Sequence, residues 1–134
     1  MLSALTRLFV NLWSSSDNIF LMTGTKINVI VPVSYTTLKD KLTNATHVNL
    51  SHALQARRSC PGAHIVFSSC SYPFSGAEKV EDRFRTEICR KAGVEPIIAG
   101  PMINTVDEVM KIKIALKDSG IAPEGILIVT GQLH

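Results

Sequence analysis

A chain of 134 residues, 46% hydrophobic and 19% charged, has the size and composition of one compact domain, too short for two ordinary cores and too apolar for disorder. Its net charge of +3 is concentrated in the middle, where Lys39, Lys41, Arg57 and Arg58 face only Asp40, while residues 93–134 sum to −2. With 6% aromatic residues and no basic stretch interleaved with them, nucleic-acid binding is not expected.

The first thirteen residues place Leu2, Leu5, Leu8, Phe9, Leu12 and Trp13 at helical spacing, which predicts an amphipathic helix. Ser14 to Asn18 reads as its stop and linker, so residues 1–25 form an N-terminal helix and linker ahead of a domain over 26–134. No apolar run approaches the length needed to span a bilayer, and the segment lacks the ordered regions of a signal peptide. The expected use of this helix is as cover for the domain's own core, with peripheral contact at a membrane surface the alternative. Cys60, Cys70 and Cys89 form no CxxC pair and leave one thiol over, which argues against a disulfide framework or a cysteine-built metal site and fits a reducing, cytoplasmic setting.

From Lys26 onward, short β-branched runs alternate with longer helical stretches, the pattern of successive βαβ units. Strands are expected at Ile27–Val33, His64–Ser68, Val94–Ala99 and Ile126–Thr130. The helices between them are Thr46–Ser59, Ala77–Ala92 (with Val80, Phe84, Ile88 and Ala92 as the apolar side and charged residues on the others) and Thr105–Ser119, the last two closed by Gly93 and Gly120. The expected fold is α/β and Rossmann-like, three layers around a mostly parallel sheet of about four strands. Such a sheet with three crossover helices leaves one face thinly covered unless the N-terminal helix, a partner subunit or further sequence supplies the cover, and ILIVT followed by only GQLH suggests truncation at the C-terminus.

Ligands of open α/β sheets bind beyond the carboxyl ends of the strands. The residues so placed are Ser34 to Thr37; Ser68, Ser69, Cys70, Ser71, Tyr72, Ser75 and Gly76; Gly100, Asn104 and Thr105; and Thr130, Gly131, Gln132 and His134. Helix starts near Gly76-Ala77 and Asn104-Thr105 favour an anionic group such as phosphate or carboxylate. Asn104 has two readings: with Asp107 it forms a capping box, and the same helix start presents Thr105 and Glu108 one turn apart beside the strand ends, where a carboxylate can take a proton or a sugar hydroxyl. His134 has the titration range of a proton donor to phosphate. Cys70 lacks an identifiable base, no histidine spacing specifies a metal, and neither GxGxxG nor GxxxxGK[ST] occurs.

The succession HIVFSSCSY, a charged helix ending RKAGVEP, then INTVDEV and ILIVTGQLH resembles the bacterial domain family of unknown function that includes SanA, YdcF and ElyC, from Lys26 to the last residue. Asn104, Thr105, Glu108, Thr130 and His134 match that family's pattern. Val109 stands where the family has Asn, the first turn lacks the family's glycines, and the family's arginine after the histidine is not reached. The resemblance implies a role in envelope biogenesis and a small anionic ligand at the strand ends, nucleotide-like or lipid-phosphate, with S-adenosylmethionine or another nucleotide-like molecule as the cofactor to test. On this reading Ser68, Ser69, Ser71, Asn104, Thr105, Thr130 and Gly131 hold the ligand. Two function classes follow: a non-catalytic binding module, peripheral to the inner membrane or homo-oligomeric, and a phosphoester hydrolase or transferase with Glu108 as base and His134 as acid. An inactive fragment is the third expectation.

Overall fold

The computed structural model describes residues 18–22 and 26–131. Eight elements follow in order: β1 (Asn18–Met22), β2 (Val29–Pro32), α1 (Asn44–Ser59), β3 (His64–Cys70), α2 (Ala77–Lys91), β4 (Ile97–Met102), α3 (Thr105–Asp118) and β5 (Ile126–Gly131). The sheet order is β1-β5-β2-β3-β4. β5, β2, β3 and β4 are mutually parallel, and β1 adds an antiparallel edge to β5. The Rossmann-like α/β expectation therefore holds, with one correction: Asn18, read as linker, opens a fifth strand that pairs with Gly131. The expected helix over residues 1–13 lies outside the described residues.

The strands' period of two sorts their side chains between faces. Ile30, Ile65, Phe67, Leu127 and Val129 point to one side, where they close over Leu50 and Ala53 of α1 and Cys89 of α2. Val29, Val31 and Val66 point to the other, against Ile112 and Leu116 of α3. The second cluster is the smaller. α3 packs on β4 and β3 and its Ile112 and Leu116 bury Val29 and Val31 of β2, whereas α1 on the opposite face packs on β2 and β5; on the α3 side β5 is the less covered strand, with Ile126 and Ile128 half-buried.

Local signals set the boundaries. Thr43 caps α1, its hydroxyl accepting from the Thr46 amide, and Arg57 and Arg58 sit at the favourable end of that helix's dipole. α2 closes through Gly93 at φ +75°, with Gly93 N–H donating to the Arg90 carbonyl and Val94 N–H to that of Cys89, both near 3.0 Å. That cap moves the third parallel strand from the expected 94–99 to Ile97–Met102: Val94 is spent on closing α2 and Pro96 precedes the first ladder residue. Gly100, expected in the following loop, lies within β4 at a bulge where the pairing slips between Phe67 and Ser69, at φ +100°, a conformation that favours glycine. Pro101 is tolerated because β4 is an edge.

Phe67, fully buried at the centre of the larger core, tests this assignment. Phe67→Ala should cost about 3–5 kcal/mol, measured as a lower urea midpoint at unchanged m-value. Val106→Ala, at a position 75% exposed, should stay within about 0.5 kcal/mol.

Candidate functional site

The chain passes from β2 to β3 on one side and, through α3, to β5 on the other, so the order of connection reverses between β2 and β5. At such a switch point the loops leave in opposite directions and open a crevice at the carboxyl ends. Tyr35, in the loop after β2, bridges it: its hydroxyl lies 3.0 Å from Thr130 Oγ1 on β5, and a Cβ added at Gly131 would meet the Tyr35 hydroxyl at 3.8 Å. Thr36 takes φ +64°, a strained conformation for a β-branched residue. Its carbonyl accepts from Thr46 Oγ1 at 2.8 Å and Thr43 Oγ1 at 3.1 Å, and its hydroxyl donates to the Tyr72 carbonyl, so the start of α1 and the loop after β3 hold this turn.

Beneath the crevice lies a buried ionic cluster from α2. Arg85 is fully buried. Its Nη1 donates to the Pro32 carbonyl at 3.1 Å, its Nη2 to the Ser68 carbonyl and to Ser69 Oγ, and its guanidinium stacks 3.9 Å over the Phe67 ring. Glu81, one turn earlier and equally buried, places Oε1 3.3 Å from Arg85 Nη2 and accepts the Cys70 N–H on Oε2 at 3.0 Å. Asp82 Oδ1 accepts from Ser69 Oγ at 2.5 Å. Burial raises the pKa of Glu81, against the opposing pull of Arg85, the Ser34 hydroxyl and the Cys70 amide. It likewise raises Asp82, against Ser69 and Arg85.

From the opposite face α3 contributes Glu108, 6% exposed, with Oε1 lacking any hydrogen-bond partner. Burial lifts its pKa to about 7, against the pull of Arg85 and with a further push from Glu81. Ser68 Oγ is also buried and unpartnered, and alternation along β3 puts it on the same face of the sheet as Val66, the α3 side. Native proteins leave few such atoms without a partner.

The sequence-assigned residues divide. Ser68, Ser69, Thr130 and Gly131 lie within strands rather than after them. The Ser69 hydroxyl is committed to Asp82, Thr130 to Tyr35, and Ser71 N–H to the Met102 carbonyl at 3.0 Å. Asn104 is spent as a cap, its Oδ1 accepting the Asp107 N–H at 2.9 Å, while Asp107 Oδ2 takes the Ile103 N–H in return. Thr105 stays exposed beside Glu108. His134 and Gln132 lie outside the described residues. Sequence reasoning misses Glu81, Asp82 and Arg85 because Val80, Phe84 and Ile88 make the more apolar row of α2. The fully buried row is Ala77, Glu81, Arg85 and Cys89, also spaced by four. The one available signal was Glu81 four residues before Arg85, a favourable helix pair.

Among the described residues, no group of three or more His, Cys, Asp or Glu is placed to hold a metal ion, and no helix is long and apolar enough to cross a membrane. Comparison with protein-family models, with curated proteins and with solved structures yields no match.

Arg85→Met should cost about 3–5 kcal/mol, because it strands buried Glu81 without its counter-charge. Adding Glu81→Gln should recover part of that loss, since contacting residues are not additive; both are measured by urea unfolding. Glu108 gives a second test. A raised folded-state pKa means that its contribution is fully present below about 4.5 and is lost as pH rises through about 7. Relative to Glu108→Gln, the wild type should therefore lose up to about 3 kcal/mol between pH 4.5 and 8, with parallel stability curves as the contrary result.

Proposed function

We propose that this chain binds a small phosphate- and hydroxyl-bearing ligand, nucleotide-like in chemistry, in the crevice between the carboxyl ends of β2, β3 and β5. The observation that carries the reading is Glu108: a buried carboxyl with one free oxygen at a topological switch point, where α/β sheets take their ligands. Local charge limits how the ligand lies. Glu81, Asp82 and Glu108 surround one arginine whose terminal nitrogens are held by Pro32, Ser68 and Ser69, so phosphate is repelled from the cluster and belongs at the outer loops, near the exposed Thr105 and the start of α3. Glu108, near half-protonated at neutral pH, suits a ligand hydroxyl, which can donate to it or accept from it.

The resemblance to the SanA, YdcF and ElyC family supports this reading through Asn104, Thr105, Glu108 and Thr130 at the ends of parallel strands. A role in envelope biogenesis rests on that resemblance alone. A second reading, hydrolysis or transfer at a phosphoester, is favoured by the raised pKa of Glu108, which suits a general acid or base working near neutrality.

Thermal unfolding with AMP, a sugar nucleotide and S-adenosylmethionine tests the binding proposal. A bound ligand at a hundred times its Kd should add about 2.7 kcal/mol, and Glu108→Ala should abolish the shift. Equal melts with every probe, or an undiminished shift in the variant, would overturn it. Product formed over time and lost in both Glu108→Gln and His134→Ala would move the assignment to the enzyme reading.

A further inference from the structure

Every exposed position of α2 is charged: Lys79, Arg83, Glu87, Arg90 and Lys91. α3 differs. Its Ile112 and Leu116 turn inward, yet Val106, Met110 and Ile114 stand outward, between 51% and 75% exposed, and Ile103 just before the helix is 61% exposed. At about 100° per residue these three helix positions, spaced by four, fall within about 40° of one line. A surface helix turns its polar side outward, and an outward apolar stripe flanked by charge marks a contact surface.

The charges along the stripe select its partner. Asp107 lies near the start of α3, whereas Lys111, Lys113 and Lys117 lie further along, with Asp118 at the last position. One end of the stripe is therefore acidic and the other mainly basic, so the surface complements itself when a second copy is turned end for end. The shape agrees: a shallow hollow at the acidic end is lined by Ile103, Val106, Asp107 and Met110, and Ile114 projects at the other end. A two-fold axis at Met110 opposes each residue to the one equally far beyond Met110 on the other copy. Ile114 then enters the partner's hollow, and the partner's Asp107 comes beside Lys111 on the same flank of the helix. Parallel helices would instead set Asp107 on Asp107 and Lys113 on Lys113, and would align the two helix dipoles.

We propose that two copies of this chain associate through the outward face of α3, with the helices antiparallel about a two-fold axis at Met110. A single helix face is smaller than the roughly 800 Å² per partner of a standard interface. The dimer is accordingly weak, and the dilute chain of a urea titration is monomeric.

Helix geometry gives the arrangement a distinctive crosslinking pattern. With axes about 10 Å apart and Cα atoms about 2.3 Å from each axis, the two copies of residue 110 approach to about 5 Å, inside the range of about 4.4–6.8 Å that a disulfide spans. The two copies of residue 106 lie on opposite sides of the two-fold axis, about 12 Å apart along the helices. Sedimentation velocity of the full chain should show a reversible monomer–dimer equilibrium as concentration rises to hundreds of micromolar. Met110→Glu, which sets two carboxylates face to face, should raise the dissociation constant at least about tenfold while the far-UV spectrum is kept. Under mild oxidation Met110→Cys should form an interchain disulfide well above the background from Cys60, Cys70 and Cys89. Val106→Cys alone should not, and Val106→Cys combined with Ile114→Cys should. A chain that is monomeric throughout that range, a dimer indifferent to Met110→Glu, or Val106→Cys crosslinking by itself as readily as Met110→Cys overturns the proposal.

Discussion

The end of the sheet depends on one buried guanidinium. Beyond the last paired residues of β2 and β3, Arg85 donates to the carbonyls of both Pro32 and Ser68 and so ties the two strands together. A buried cation is costly alone, and Glu81 one turn away offsets it while using its other oxygen for the Cys70 amide. Asp82 then fixes Ser69. Three consecutive residues at the end of β3 are thus held by one helix, and the loops around the crevice start from a rigid base.

That base explains the electrostatics above it. Arg85 turns its two terminal nitrogens to the Pro32 and Ser68 carbonyls, the Ser69 hydroxyl and the Glu81 carboxylate, so it compensates Glu108 only through the field, and burial dominates. A carboxyl pushed to near neutrality by apolar surroundings is a recurring way to obtain an acid and a base from one side chain. The Tyr35–Thr130 contact and the strained Thr36 turn lie across the same opening, so rigidity below and a constrained rim above frame a single cleft.

Much of the architecture was legible in the residues. The β-branched runs, Gly93 and Gly120 as helix stops, and the Asn104–Asp107 cap are local effects, and each element appears where such signals place it to within a few residues. β4 is the exception: Val94 is drawn into the cap of α2, and a bulge at Gly100 lets the strand run on through Pro101. The short run Asn18–Met22 carries no alternation that marks an edge strand, and only pairing with β5 makes it one.

The candidate site was legible in part. The sequence by itself determined the parallel α/β class, the polar strand ends and Glu108 at a capped helix start, because periodicity, caps and glycine stops act over a few residues. Which stripe of α2 turns inward was decided by tertiary structure: the apolar row Val80, Phe84 and Ile88 competes with a charged row that becomes favourable only when two strand carbonyls and a serine stand ready to receive it. Likewise, only the fold reveals that Ser69 and Asn104 are already engaged while Glu108 and Ser68 keep free oxygens. Hydrogen-bond satisfaction belongs to the assembled neighbourhood rather than to any residue's identity.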